Sequence, residues 1–143
     1  MTTWHTAYTR DIGAAPDAIW AVLADTSAWH LWNDGVESIR LDGAFATGSR
    51  FAMEMPDGDV LESTLTSVVP GQQFVDETRL GEIVVRVAHR IEAVSAGTSR
   101  VTYAVDVDGP DAQAVGEAVS GDFPAVLAQL EAYVLQRAVA RAA

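Results

Sequence analysis

Two stretches past the middle of the chain decide most of what it can fold into. Residues 83–94 alternate over their whole length, with Ile83, Val85, Val87, His89 and Ile91 on one side and Val84, Arg86, Ala88, Arg90 and Glu92 on the other. Residues 100–107 repeat the pattern, with Val101, Tyr103, Val105 and Val107 opposite Arg100, Thr102, Ala104 and Asp106. A period of two belongs to a half-buried β-strand. The short gap between the stretches predicts an antiparallel pair with one buried face.

The same punctuation of strands by turn residues runs back through the chain. Residues 36–41 end at Asp42-Gly43, and 49–55 end at Pro56-Asp57-Gly58 with Phe51, Met53 and Met55 sharing a face. Residues 60–69 end at Pro70-Gly71, and 73–80 end at Gly81. Residues 3–12 predict a first strand. After it, Ala14-Ala15-Pro16 opens a helix with Pro16 in its first turn and Asp17 favourable to the dipole. Ile19, Val22 and Leu23 give that helix its apolar face. Thr26 or Ser27 caps a second short helix carrying Trp29, Leu31 and Trp32, which closes at Asn33-Asp34-Gly35.

From Asp111 onward the period becomes helical. Val115, Val119, Phe123, Val126, Leu127, Leu130, Val134 and Leu135 form an apolar stripe, interrupted at Gly121 and Pro124, where a kink or break is expected. The small residues Ala114, Gly116, Ala118 and Ser120 either leave space over the sheet or permit close packing. A sheet with one apolar face and one long striped helix predicts an α+β fold in which the sheet wraps the helix.

Composition narrows the function classes. At 143 residues the chain predicts one domain spanning residues 1–143. Its nine basic residues are all arginine and face 20 acidic ones, for a net charge of -11. Such a field repels phosphate backbones and anionic lipid surfaces, so neither nucleic acid nor membrane is an expected partner. Absence of cysteine excludes disulfides, thiolate zinc sites and cysteine nucleophiles. No apolar run approaches a membrane span and the N-terminus lacks a signal-like core, so a cytoplasmic protein is expected. A homodimer is compatible with the sequence.

Four motifs, in order, resemble the START-like, Bet v 1-like (SRPBCC) superfamily and within it the polyketide cyclase/dehydrase-type group. They are Pro16-x3-Trp20-x2-Leu23-x-Asp25-x3-Trp29-x2-Trp32, then Phe74-Val75-Asp76-Glu77-Thr78, then His89-Arg90-x-Glu92, and finally Gly109-Pro110 before the last helix. The resemblance covers essentially the whole chain and suggests a bacterial-type member. It implies a helix-grip fold, a curved seven-stranded antiparallel sheet around a long C-terminal helix, with a cavity between them. It also implies that the two short helices form one mouth of the cavity, with Trp29 and Trp32 at its rim or wall.

His89 stands on the apolar side of its strand, where an imidazole is either a general acid or base or a core histidine satisfied by a carbonyl or a tyrosine. A tight turn at Gly81 sets Phe74 opposite His89 and Asp76 one pair away. There Asp76 either orients the histidine or, on the blander reading favoured here, is a solvated carboxylate. Tyr103 shares the inward parity, as a hydroxyl donor or as a wall aromatic with a wet tip. On residues 60–69 the odd positions are more apolar, so Ser63 and Leu65 are placed inward and Glu62 outward; a slip of one would reverse them. Arg79, Arg86, Arg90 and Arg100 fall on outward positions beside Glu77, Glu92 and Asp106, as expected of cross-strand charge pairs.

The leading expectation is a protein that binds a small apolar or aromatic molecule. Trp29, Trp32, Phe51, Met53, Met55, Ser63, Leu65, Phe74, Val87, His89 and Tyr103 would line the site. The alternative is a polyketide cyclase/dehydrase-like enzyme catalysing intramolecular aldol closure or dehydration, with His89 as general base and Tyr103 or Asp76 assisting. A module binding a partner through its exposed sheet face ranks last. His5, His30 and His89 are scattered without carboxylates at ligand spacing, so no metal site is expected, and no motif calls for a cofactor.

Overall fold

Ala15 is extended, as the ring of a following proline demands, and α1 (Pro16–Leu23) begins at that proline. In the computed structural model, which describes residues 2–142, α1 follows β1 (Thr3–Ile12) and leads into a 3-10 helix (Thr26–Leu31). The strands β2 (Ser38–Asp42), β3 (Arg50–Glu54), β4 (Val60–Val69), β5 (Gln73–Leu80), β6 (Ile83–Ser95) and β7 (Thr98–Asp108) come next. Two helices, α2 (Ala112–Ser120) and α3 (Phe123–Ala142), complete the order. All seven strands join one antiparallel sheet in the order β1-β7-β6-β5-β4-β3-β2. The predicted interruption of the C-terminal stripe is a true break between α2 and α3, at Gly121 and Asp122. Pro124 sits in the first turn of α3, where a missing amide costs nothing.

The curved sheet buries its inner face under the helices. Ile12, Ile19, Leu23, Phe74, Leu127 and Leu130 belong to the main core, and Val85, Val87, Val105 and Val107 form a second cluster against Ala112. Gly116 explains how α2 comes so close to β1: a Cβ there would fall inside the Trp4 indole. Gly109 has the same role in the turn after β7. It takes φ +130°, and an added Cβ would lie 2.8 Å from the Glu82 carbonyl oxygen.

The outer face carries the charge pairs, in part with other partners than expected. Glu77 accepts from Arg79 (3.1 Å) and Arg86 (2.9 Å), and Arg86 also reaches Asp108 at 3.2 Å. Arg100, however, pairs with Asp11 at 2.8 Å rather than with Glu92, and Asp106 pairs with His5 at 2.8 Å. Edge strand β1, aligned with β7 so that Asp11 faces Arg100 and His5 faces Asp106, supplies the nearer partners.

On β4 the odd-inward reading holds only for half the strand. Ser63 and Leu65 are buried and Glu62 is exposed. A bulge between Leu65 and Ser67 then shifts the register, so Val68 pairs with Phe74 and packs on the core while Val69 faces out. One extra residue in a strand reverses the faces beyond it.

Candidate functional site

The two-residue turn at Gly81 and Glu82 locks Leu80 opposite Ile83, and counting back sets Phe74 against His89 and Asp76 against Val87. His89 in turn faces Tyr103, and Tyr103 faces Tyr8. One row of rings thus crosses four strands on the concave face. The Phe74 and His89 rings stack at 4.0 Å and 11°, and Tyr103 meets His89 edge-on at 4.5 Å. Trp29 extends the row from the 3-10 helix by stacking on Phe74, and Phe123 closes it from α3 against Tyr103.

Over this floor lies a cavity of about 900 Å³. Its walls come from the 3-10 helix and the loop after it, from β3 to β7, and from both C-terminal helices. Trp29, Trp32, Phe51, Met53, Met55, Ser63, Phe74, Val87, His89 and Tyr103, all expected at the site, line it. Leu65 does not. It pairs with Asp76 at the edge of the bulge and is wholly buried in the main core, behind the wall rather than in it. The two options for the small residues of α2 are both realised: Gly116 packs tightly on Trp4, while Ala118 and Gly121 border open space.

Few polar groups interrupt the apolar lining. Ser63 Oγ and Thr78 Oγ1 satisfy each other at 2.6 Å across β4 and β5. Trp29 Nε1 donates to the Leu23 carbonyl at 2.9 Å, but the buried Trp32 Nε1 has no partner among the described residues. Asp76 points inward, contrary to the solvated placement favoured from sequence. Phe74 and Thr78, its parity neighbours, both line the cavity, while Glu77 takes the outer position and the guanidiniums that go with it.

Burial governs the titration of this floor. It pushes Asp76 from the ordinary 3.8 up to about 7 and His89 from 6.5 down to about 3. Burial, with the Asp76 charge adding to it, also raises the Tyr103 phenol, which stays protonated. His89 Nδ1 lies 3.4 Å from the Phe74 carbonyl oxygen. A carbonyl only accepts, so Nδ1 carries the hydrogen and Nε2 presents its lone pair. That lone pair faces Asp76 Oδ2 at 3.9 Å, beyond direct hydrogen-bond reach. Neutral imidazole, phenol and a carboxyl group titrating near neutrality therefore share one apolar chamber.

Asp122 was missed from sequence. It sits in the break between α2 and α3, its carbonyl accepting from Val126 N at 2.9 Å, and it lines the cavity with its carboxyl raised by burial. The Gly121 interruption marked the break, but nothing in the stripe told which way the next side chain turns. Thr78, Phe123 and Asp57 also line the cavity unforeseen. Among the described residues there is no cluster of three or more metal-ligating side chains, and no helix is long and apolar enough to cross a membrane.

A curved antiparallel sheet gripping C-terminal helices around an internal chamber defines a helix-grip protein of the START/Bet v 1 type. The chain belongs to the polyketide cyclase / dehydrase and lipid transport family, which matches residues 3–135. Among curated proteins no sequence matches it. Solved structures share its fold at low identity. Norcoclaurine synthase from Thalictrum flavum, solved with dopamine and hydroxybenzaldehyde, is 14% identical with a TM-score of 0.73, covering 94% of this chain and 88% of that one. A START superfamily protein from Mycobacterium smegmatis is 15% identical with a TM-score of 0.74, covering 92% and 97%. Protein MLL2253 from Mesorhizobium loti is 20% identical with a TM-score of 0.72, covering 94% and 98%.

Proposed function

We propose that the protein binds a small, largely apolar molecule between its sheet and its C-terminal helices. The observation that carries this reading is the chamber of about 900 Å³, walled mainly by aromatic and aliphatic side chains with a few convergent polar groups. That size and lining are those of small-molecule sites. Native mass spectrometry of the protein from its own host tests it, together with binding of an apolar fluorescent dye. A co-purifying small molecule that the dye displaces is expected, and Ala118→Trp, which adds an indole to the α2 side of the chamber, should weaken dye binding. Dye binding that survives Ala118→Trp unchanged, with no co-purifying molecule, overturns the reading.

A second reading, an enzyme that closes or dehydrates a carbonyl chain, is favoured by the approach of Asp76 to His89. Here the roles inferred from sequence change. A histidine depressed to about 3 is a weak base, whereas a carboxyl near 7 is matched to proton transfer at neutral pH. Asp76 becomes the base, with His89 and the Tyr103 hydroxyl ordering the substrate. Turnover of any substrate found should follow a pH profile with an inflection near 7 and be lost in Asp76→Asn. Unchanged turnover in Asp76→Asn would falsify the catalytic reading.

A further inference from the structure

We infer that the chamber selects a molecule carrying a protonated amine on an apolar body, with the ammonium seated against the Asp76 carboxylate. The inference rests on the binding reading above and narrows its ligand class. Three carboxylates, Asp57, Asp76 and Asp122, line the chamber from a turn, the sheet floor and the helix break. Among the described residues no arginine lines it, and the chain contains no lysine. Apart from the His89 ring, the walls therefore offer acidic side chains and no basic ones.

The contrast along β5 sharpens this. Glu77, on the outer face, holds two guanidiniums, Arg79 and Arg86. Asp76, one residue away on the inner face, accepts no hydrogen bond from the described residues, and the His89 ring stands 3.9 Å from it. A buried carboxylate without a counter-charge is costly unless something enters to compensate it. An ammonium supplies both the charge and the donors. An anionic ligand finds acidic side chains and no arginine or lysine to pair with, and is disfavoured on the same grounds.

A neutral ligand with a carbonyl is the competing occupant, since a protonated Asp76 can donate to it. The two differ in proton linkage. An ammonium drives Asp76 to ionise and releases a proton, so its affinity rises through neutral pH, whereas a carbonyl acceptor takes a proton up and binds less tightly as pH rises. The titratable groups that line the chamber with Asp76 are His89 from β6, Tyr103 from β7, Asp57 from the turn before β4 and Asp122 from the helix break; β4 contributes only the Ser63 hydroxyl.

The test is titration calorimetry of the whole chain with phenylbutylamine, phenylbutanol and phenylbutyrate, which share one apolar body, at pH 6 and pH 8 in buffers of different ionisation enthalpy. At pH 8 the amine should bind about tenfold tighter than the alcohol, as expected for one partly buried charge-assisted contact. That advantage should shrink at pH 6, protons should be released on amine binding, and Asp76→Asn should remove the advantage while alcohol binding persists. An alcohol that binds as tightly as the amine at pH 8, or an advantage that survives Asp76→Asn, overturns the amine inference and leaves the binding reading standing. Binding of none of the three overturns both. If Asp76→Asn does not fold, the proton count of the native protein at pH 6 decides: uptake or no exchange on amine binding there sinks the inference.

Discussion

Asp76 and His89 approach to 3.9 Å, and burial carries their pKa values past one another, the carboxyl up to about 7 and the imidazole down to about 3. Proximity to a carboxylate normally holds a histidine protonated. Here desolvation outweighs attraction, and below about pH 7 the pair is stable with both groups neutral.

That ordering has a signature in stability against pH. Between pH 3.8 and about 7 folded Asp76 holds a proton that the unfolded chain has lost, so its contribution falls by about 1.4 kcal/mol per pH unit as pH rises. Between about 3 and 6.5 unfolded His89 holds a proton that the folded chain lacks, so its contribution rises with pH at the same rate. The two slopes oppose and nearly cancel. Chemical denaturation from pH 4 to pH 6.5 should show little net slope from this pair. Asp76→Asn should lose stability steeply as pH falls across that range, and His89→Gln should lose it as pH rises. Parallel profiles in the two variants would show that the pair is not titrating this way.

The two cavity tryptophans should respond differently to loss of the indole nitrogen. Trp29→Phe removes the bond to the Leu23 carbonyl and leaves that oxygen unpaired, whereas Trp32→Phe removes a donor with no partner. Thermal or urea unfolding should find Trp29→Phe less stable than Trp32→Phe by about 1–2 kcal/mol.

Gly116→Ala reverses the usual helix rule. Alanine ordinarily stabilises a helix interior by up to about 1 kcal/mol over glycine. Here the new methyl group meets the Trp4 indole, and a net loss of about 1–3 kcal/mol is expected. Trp4→Ala should relieve the added cost, so a double-mutant cycle in urea should show strong coupling between positions 4 and 116.

Ser63 and Thr78 satisfy each other at 2.6 Å on the cavity wall. Ser63→Ala or Thr78→Val alone strands the remaining hydroxyl and should cost about 1–2 kcal/mol, while the double variant should cost clearly less than the sum. Strict additivity in denaturation would show that the pair does not hold the wall together.

Register was legible wherever a turn left no freedom. The two-residue loop at Gly81 and Glu82 fixes every pair on β5 and β6, which is why the opposition of Phe74 and His89 could be counted out. The bulge after Leu65 was hidden because β4 mixes small polar and apolar residues on both sides, so an extra residue breaks no visible alternation. Asp76 was read as solvated because either it or Glu77 must face out, and two adjacent carboxylates do not show which; the guanidiniums that hold Glu77 outside come from Arg79 and Arg86. Asp122 left no periodic trace, since a side chain at a helix break belongs to neither stripe. The aromatic floor was thus written in the alternation, and the charges around it were not.

The pairing of β1 with β7 gives the chain a particular timing. Thr3 lies opposite Asp108 and Ile12 opposite Ser99, so the first strand made is completed only by the last. At ribosomal rates of roughly 5–20 residues per second, some five to twenty seconds separate their synthesis. Throughout that interval the Thr-rich N-terminal strand has no native neighbour, and closure of a loop of this length belongs with slow, non-local folding. The N-terminal edge of the sheet is therefore the part most open to wrong strand partners while the chain is still being made.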